Sequence, residues 1–196
     1  MKKLYFIICL FKLLLFNFIA TNAEESNYRK AYFAGGCFWC MEESFDKIEG
    51  VITSISGYSG GDLENPTYKE VTYKDTGHVE VVEITYDPKI ITYKELLDIY
   101  WRNVDPFDKF GQFCDKGKSY RSVVFFQDKD EYKMIQDSIK KIEKRFDEKI
   151  VTFVWRFKKF YKAEEYHQDY YQKNFINYLA YKSACQREEV LKKIWN

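Results

Sequence analysis

The chain is predicted to fold as an α+β protein, a ferredoxin-like split βαβ sandwich with a mixed sheet and an added C-terminal helix. Three observations predict it. Between residues 30 and 127 the hydrophobic pattern changes in the order β-α-β-β-α-β. A helix, a strand and a further helix follow that unit. The 196 residues, 46% hydrophobic and 31% charged, contain no repeat and no linker-like run, so residues 24–196 are expected to form one domain with a sizeable core.

Residues 1–23 stand apart from that fold. Lys2 and Lys3 make a positive start, residues 4–20 are apolar apart from Lys12 and Asn17, and Ala23 offers a small residue just before Glu24. This is the layout of a secretory signal peptide, and export to a periplasmic or extracellular space is expected. Lys12 interrupts the ~20 apolar residues that an uncleaved anchor needs. Residues 30–34 then read as a strand leading into Gly35-Gly36. Residues 38–48 place Phe38, Met41, Phe45 and Ile48 at helical spacing, and Gly50 ends that helix. Residues 51–58 are β-rich, and Gly57, Gly60, Gly61, Asn65 and Pro66 mark a long loop. Residues 78–86 alternate in part, as a strand closed by Asp87-Pro88. In the helix at 92–104, Thr92 and Glu95 have capping-box spacing, and Leu96, Leu97, Tyr100 and Trp101 supply the apolar face. Residues 105–119 look irregular and 122–127 form a buried strand. Asp128 caps a charged helix reaching about residue 146, 151–157 form a strand, and 163–182 a tyrosine-rich helix.

A net charge of +1 gives no reason to expect nucleic acid or anionic lipid as a partner. Of the five cysteines, Cys9 lies in the leader. The others, Cys37, Cys40, Cys114 and Cys185, would ordinarily suggest two structural disulfides in an exported protein. A core of this size does not need such staples, which leaves redox and metal roles open.

Cys37 stands where strand, glycines and helix meet. A thiol at a helix N-terminus faces unpaired N–H groups and the positive end of the dipole, both of which favour the reactive thiolate. Cys37-x-x-Cys40 is also a redox spacing, although most cysteines beside aromatic residues are simply packed. Glu80 and His78, two apart on a strand, share one face. Residues 112–122 collect a thiol, an acid, a phenol and a guanidinium in Cys114, Asp115, Tyr120 and Arg121. Tyr68 offers another phenol, and Glu164, Glu165, Tyr166, His167, Tyr170 and Tyr171 open the last helix. Singly, each reads as packing or surface.

In combination they resemble the A-type methionine sulfoxide reductases, the peptide-methionine (S)-S-oxide reductases. The resemblance is carried by Gly36-Cys37-Phe38-Trp39, Gly57-Tyr58-Ser59-Gly60-Gly61 with Asn65-Pro66-Thr67-Tyr68, and Gly77-His78-Val79-Glu80. It continues in Gly111-Gln112-Phe113-Cys114-Asp115-Lys116-Gly117, Tyr120-Arg121-Ser122 and Glu165-Tyr166-His167-Gln168-Asp169-Tyr170-Tyr171. These runs fall in family order across almost the whole chain after the leader.

The resemblance implies that Cys37 attacks the sulfoxide sulfur and that Glu80 protonates its oxygen, a poor leaving group until protonated. It implies that Tyr68 and Tyr120 hydrogen-bond that oxygen and that Asp115 is a further catalytic acid. Phe38 and Trp39 would hold the S-methyl group, with His167 and Tyr170 also binding substrate. The resulting Cys37 sulfenic acid would condense with a second thiol. Cys185 matches the family's C-terminal resolving cysteine and is expected to act first, with Cys40 next and Cys114 an additional redox thiol. The implied substrate is methionine sulfoxide, free or in oxidised proteins, and the implied reductant is thioredoxin or a thioredoxin-like donor. No metal or organic cofactor is implied, and a monomer is expected. Two rival readings are a thioredoxin-like disulfide oxidoreductase built on Cys37-x-x-Cys40, and a zinc module using Cys37, Cys40, Cys114 and a His or Cys185. One Cys-x-x-Cys without a second such pair is a weak zinc signal.

Overall fold

A computed structural model describes residues 27–196. The signal peptide expected at residues 1–23 lies outside the described residues. Strand β1 (Arg29–Gly35) is central, flanked by β3 (Val79–Tyr86) and β6 (Ser122–Phe126), with β2 (Val51–Ser59) beyond β3. All these pairings are antiparallel, so β6-β1-β3-β2 is the split βαβ order that the pattern predicts. The sheet becomes mixed because β7 (Phe153–Arg156) adds parallel to β6, while β8 (Tyr161–Lys162) adds antiparallel to β2.

Period-two alternation along β1 sends Ala31 and Phe33 to one face, Tyr32 and Ala34 to the other. The first face carries α1 (Phe38–Asp46), α3 (Tyr93–Arg102) and α4 (Lys129–Phe146), and it holds the main core of Phe33, Phe45, Leu96, Leu97 and Ile135. The opposite face is covered by chain, not helix: Tyr32 stacks on Phe157 at 3.8 Å beside Phe160. The caps follow the sequence signals. Thr92 and Glu95 form a reciprocal capping box on α3, and the Asp128 carboxylate accepts from the amides of Asp130 and Glu131.

The structure departs from the sequence reading in three places. Part of the expected loop after β2 is α2 (Tyr68–Tyr73), opened by a second capping box, Thr67 with Glu70. The expected irregular stretch at 105–119 contains a small hairpin, β4 (Gly111–Gln112) and β5 (Asp115–Lys116). The tyrosine-rich helix expected over 163–182 is broken. A 3-10 turn spans Glu165–His167, α5 spans Tyr170–Lys173, α6 spans Phe175–Ala184, and α7 (Arg187–Trp195) follows. The break has a tertiary cause. The Gln168 side chain reaches the sheet edge, accepting from the Ser56 amide and donating to the carbonyls of Ser56 and Ala163. Asp169 follows at φ +53, a left-handed conformation that no helix continues through.

Candidate active site

The site is built at the β1–α1 junction. Gly36, at φ +78, turns the chain, and a Cβ there would lie 2.6 Å from the Cβ of Gln112, so glycine is required on two counts. Cys37 follows as the N-cap of α1 without a capping hydrogen bond from its side chain. One of the orphan amides of that helix end is taken by an acid from β3: the Phe38 N–H donates to Glu80 Oε2 at 3.0 Å. Glu80 is 2% exposed. Burial pushes its carboxyl well above the usual carboxylate range, the Phe38 amide opposes this, and negative charge at Asp115 and Cys40 adds to it. The balance favours a proton-carrying acid beside Cys37.

Cys37 and Cys40 are both free, 5% and 3% exposed, and their sulfurs interact. The expectation that the helix terminus would ionise Cys37 is not met in the resting site. Burial pushes the Cys37 thiol well up, the hydrogen bond and charge of Cys40 and the charge of Glu80 push the same way, and the Tyr181 phenol offsets only part. The magnitudes explain this. A helix end contributes at most about 2 kcal/mol, whereas full desolvation moves a pKa by up to about 3–5, worth roughly 1.4 kcal/mol for each. Cys40 moves the other way, down to about 7. The hydrogen bond from Cys37 acts first and against burial, helped by the charge of Arg187, the Tyr178 hydroxyl and the charge of Lys182.

The remaining predicted groups converge on the pair. The Trp39 Nε1–H donates to His167 Nδ1 at 3.2 Å, and Trp39 stacks on Tyr170 at 3.8 Å and meets Tyr181 edge-on. His167 is also in ring contact with Phe38 at 4.9 Å and Tyr68 at 4.5 Å, which joins the aromatic wall to the phenols. Burial holds the His167 pKa down to about 4, so the ring is neutral. Because Nδ1 accepts, Nε2 carries the proton, and that buried N–H has no partner. Tyr68 and Tyr120 hydrogen-bond each other, and burial together with the Glu80 charge raises both phenols. Asp115 accepts from the Tyr181 hydroxyl at 2.5 Å, and burial raises its carboxyl. His78 stands elsewhere: its ring bridges the Gly61 amide and the Leu63 carbonyl and fixes the loop after β2.

The other two cysteines are joined. Cys114, exposed in the β4–β5 turn, forms a disulfide with the buried Cys185 at the end of α6, with a Cα–Cα distance of 4.9 Å. The expected first resolver is therefore bonded to Cys114 here, and the thiol beside Cys37 is Cys40. Among the described residues neither Cys37 nor Cys40 belongs to a group of three or more possible metal ligands, so the donor set of the zinc reading does not come together. Sequence reasoning missed several contributors. Glu164 accepts from the Tyr58 hydroxyl at 2.9 Å and the Tyr68 amide at 2.8 Å and so sets the start of α2. Tyr178, Tyr181 and Arg187 reach the site from α6 and α7. The density of tyrosines was a signal for the first two, and the acids that open the last helix were one for Glu164, although its role was not read; nothing local marked Arg187.

A buried thiol pair faced by a carboxyl that burial holds above its usual range, two phenols and an aromatic wall defines a thiol-based oxidoreductase. The chain belongs to the peptide methionine sulfoxide reductase family, whose model matches residues 29–196. It is 51% identical over 168 residues to the peptide methionine sulfoxide reductase MsrA of Ligilactobacillus salivarius, covering 85% of this chain and 97% of that one. It is 43% identical over 176 residues to the MsrA/MsrB protein of Vibrio cholerae, covering 89% of this chain but only 47%, about half, of that relative. Among solved structures it resembles reduced Mxr1 from Saccharomyces cerevisiae, with TM-score 0.71, 34% identity, and coverage of 75% of this chain and 86% of that one. The same yeast protein in complex with Trx2 aligns with TM-score 0.52 and 26% identity, covering 73% of this chain and 84% of that one.

Proposed function

We propose that this chain reduces the S-epimer of methionine sulfoxide, free or in oxidised proteins, to methionine, with a thioredoxin-like dithiol as final reductant. The observation that carries the reading is the shared helix end: the Glu80 carboxyl sits on the Phe38 amide, one residue from the Cys37 sulfur, in a pocket that favours its protonated form. With the sulfoxide oxygen toward Glu80, Tyr68 and Tyr120 and the S-methyl against Phe38 and Trp39, only one epimer presents its sulfur to Cys37. The unpartnered His167 N–H is a further donor for the substrate. Glu80 protonates the oxygen as Cys37 attacks sulfur. Attack forms a transient bond between the Cys37 and substrate sulfurs; as that bond and the S–O bond break, the oxygen passes to Cys37 as a sulfenic acid and the thiol proton restores Glu80, so thiol plus sulfoxide becomes sulfenic acid plus thioether.

Cys40, already beside Cys37, is assigned as first resolver, with Cys185 held by Cys114 in the resting protein. The complex of yeast Mxr1 with Trx2 supports a thioredoxin-type donor. Export by way of residues 1–23 and a monomeric state belong to the same proposal and rest on the sequence. The N-terminal residue of protein recovered outside the cytoplasm, and its mass in solution, test them. The central test is one turnover on a peptide carrying each sulfoxide epimer, followed by mass mapping of disulfides. Thioether from the S-epimer with a new Cys37 bond is expected; no reduction of either epimer would overturn the assignment.

A further inference from the structure

Glu42 and Asp46 lie one turn apart on one face of α1, in the half of the helix where the dipole is already negative. The fold brings a third acid to them. Asp169 follows the left-handed break before α5, and one carboxylate oxygen from each of the three residues lies within 4.8 Å of the others. Glu42 is 1% exposed and the other two are half-buried. All three line an open cavity of about 420 Å³ between α1, β2 and α5. Neutral donors hold the first two. Glu42 accepts from the Ser56 hydroxyl at 3.0 Å and the Asp169 amide at 3.1 Å, and Asp46 accepts from the Tyr171 hydroxyl at 3.0 Å. Lys173 pairs with Asp169 at 3.2 Å, but this half-exposed lysine is shared with Glu165 at 3.6 Å. One shared lysine leaves three clustered carboxyls short of positive charge. Burial, with the charges of Asp46 and Asp169, accordingly pushes the Glu42 carboxyl up to about 7. A second feature, independent of charge, points into the same cavity. Ser54 and Ser56 alternate to one face of β2. Ser56 is spent on Glu42. Ser54 is 8% exposed and lines the cavity beside Asp46, yet its buried Oγ reaches no hydrogen-bond partner. A buried hydroxyl without a partner is costly, and its lone pairs are what a hard cation takes.

We propose that Glu42, Asp46, Asp169 and the Ser54 hydroxyl form a calcium site that fastens the C-terminal segment to α1. The donor set is all oxygen, which suits hard cations and not zinc or copper. Its spread matches calcium. Oxygens opposite each other around calcium stand up to about 5 Å apart, whereas around magnesium they stand about 4 Å apart, and magnesium usually takes only one or two carboxylates. Water from the open side of the cavity would complete the roughly six to eight oxygens that calcium accepts. Lys173 keeps Glu165 as its partner when the ion takes Asp169. The site stands apart from the reductase reaction, since none of its four residues has a role in that chemistry. It bears on the reaction through the chain, because Asp169 lies between His167 and Tyr170, which form part of the wall around Trp39.

The test titrates calcium chloride into the full chain after treatment with a chelator, by calorimetry and by displacement of terbium, whose emission Tyr171 beside Asp46 would sensitise. One ion per chain with a Kd of ~10⁻⁴–10⁻³ M is expected, the range of extracellular calcium modules. At a hundredfold excess over Kd the folded-to-unfolded ratio should rise by ~100-fold. Asp46→Asn should weaken binding by ~10-fold or more, and Ser54→Ala, which alters no charge, by ~3-fold or more. Calcium should slow amide exchange at residues 169–173 and at the end of α1 more than in β6. Absence of binding to the natural sequence would overturn the proposal. So would equal stabilisation by magnesium, or by sodium chloride at matched ionic strength, since either is charge screening and not a site. Unchanged affinity in Ser54→Ala would reduce the cluster to an acidic patch and also overturn it. Should Asp46→Asn fail to fold, Asp169→Asn is read in its place with the same expected loss, and undiminished binding there has the same consequence.

Discussion

The two cysteine pairs of this molecule obey different physics. Cys37 and Cys40 are one helical turn apart, buried and free, and charges and desolvation decide which sulfur holds the proton. Cys114 and Cys185 are 71 residues apart and bonded, one exposed and one buried. The disulfide fastens the β4–β5 turn to the end of α6, and its two flanking stretches contribute Asp115 on one side, Tyr181 and Arg187 on the other. The first pair is poised to change partners within a rigid turn. The second acts on the chain, by restricting how far the C-terminal segment can leave the site. Separation along the sequence, more than the residue type, divides chemistry from constraint.

The largest expected effect breaks the first pair. Cys37→Ser should abolish reduction of the S-epimer in a sulfoxide peptide assay, whereas Cys114→Ser should still reduce substrate in a single turnover; normal turnover by Cys37→Ser would reverse the roles given to the two pairs. Next, Glu80→Gln should slow sulfenic acid formation by ~10²-fold or more, the usual cost of losing a general acid. Rapid-quench measurement of the first turnover reads it, and an unchanged rate would take the acid role from Glu80.

Cys185→Ser sharpens the comparison from the other side. It opens a 71-residue link, worth up to about 4 kcal/mol on the chain-entropy account, so the midpoint of denaturant unfolding should fall. The Cys37–Cys40 disulfide should still appear after one turnover. Its disappearance would return the resolving role to Cys185, as the family resemblance first implied.

The smallest effect is on stability against pH. His167 is held neutral, with its pKa lowered from 6.5 to about 4, so the unfolded chain binds more protons in that window and stability should fall as pH drops through it. Glu42 has the opposite sign. Its pKa is raised from 4.5 to about 7, so its contribution is present at low pH and is lost as pH rises through about 7. The two windows overlap with opposite slopes, so melting temperatures of the natural sequence from pH 4 to 8 should change little from these two groups, whereas His167→Gln should unmask a fall in stability as pH rises and Glu42→Gln a fall as pH drops.

Much of the fold was legible because its signals are local. The alternation in β1, the apolar spacing of α3 and the Thr92 and Asp128 caps each depend on residues a few positions apart, and each element formed where its pattern stood. The start of α2 was equally legible at Thr67 and Glu70, hidden by the glycines before it. The breaks between 163 and 196 were not, since Gln168 leaves the helical pattern for a strand 112 residues away.

The site divides along the same line. The sequence by itself determined which side chains are present, and their motif order placed Cys37, Glu80, Tyr68, Tyr120, Asp115, Phe38, Trp39, His167 and Tyr170 as candidates. Only the tertiary structure decided how protons and bonds are distributed among them. A thiol's pKa depends on how completely it is dehydrated and on charges brought from β3, α6 and α7, and a disulfide depends on which chain segments meet. Neither quantity is written in local spacing, which is why Cys37 lost the thiolate expected of it, Cys185 is found bonded to Cys114, and Arg187 was invisible until α7 was folded against the turn that holds Cys40.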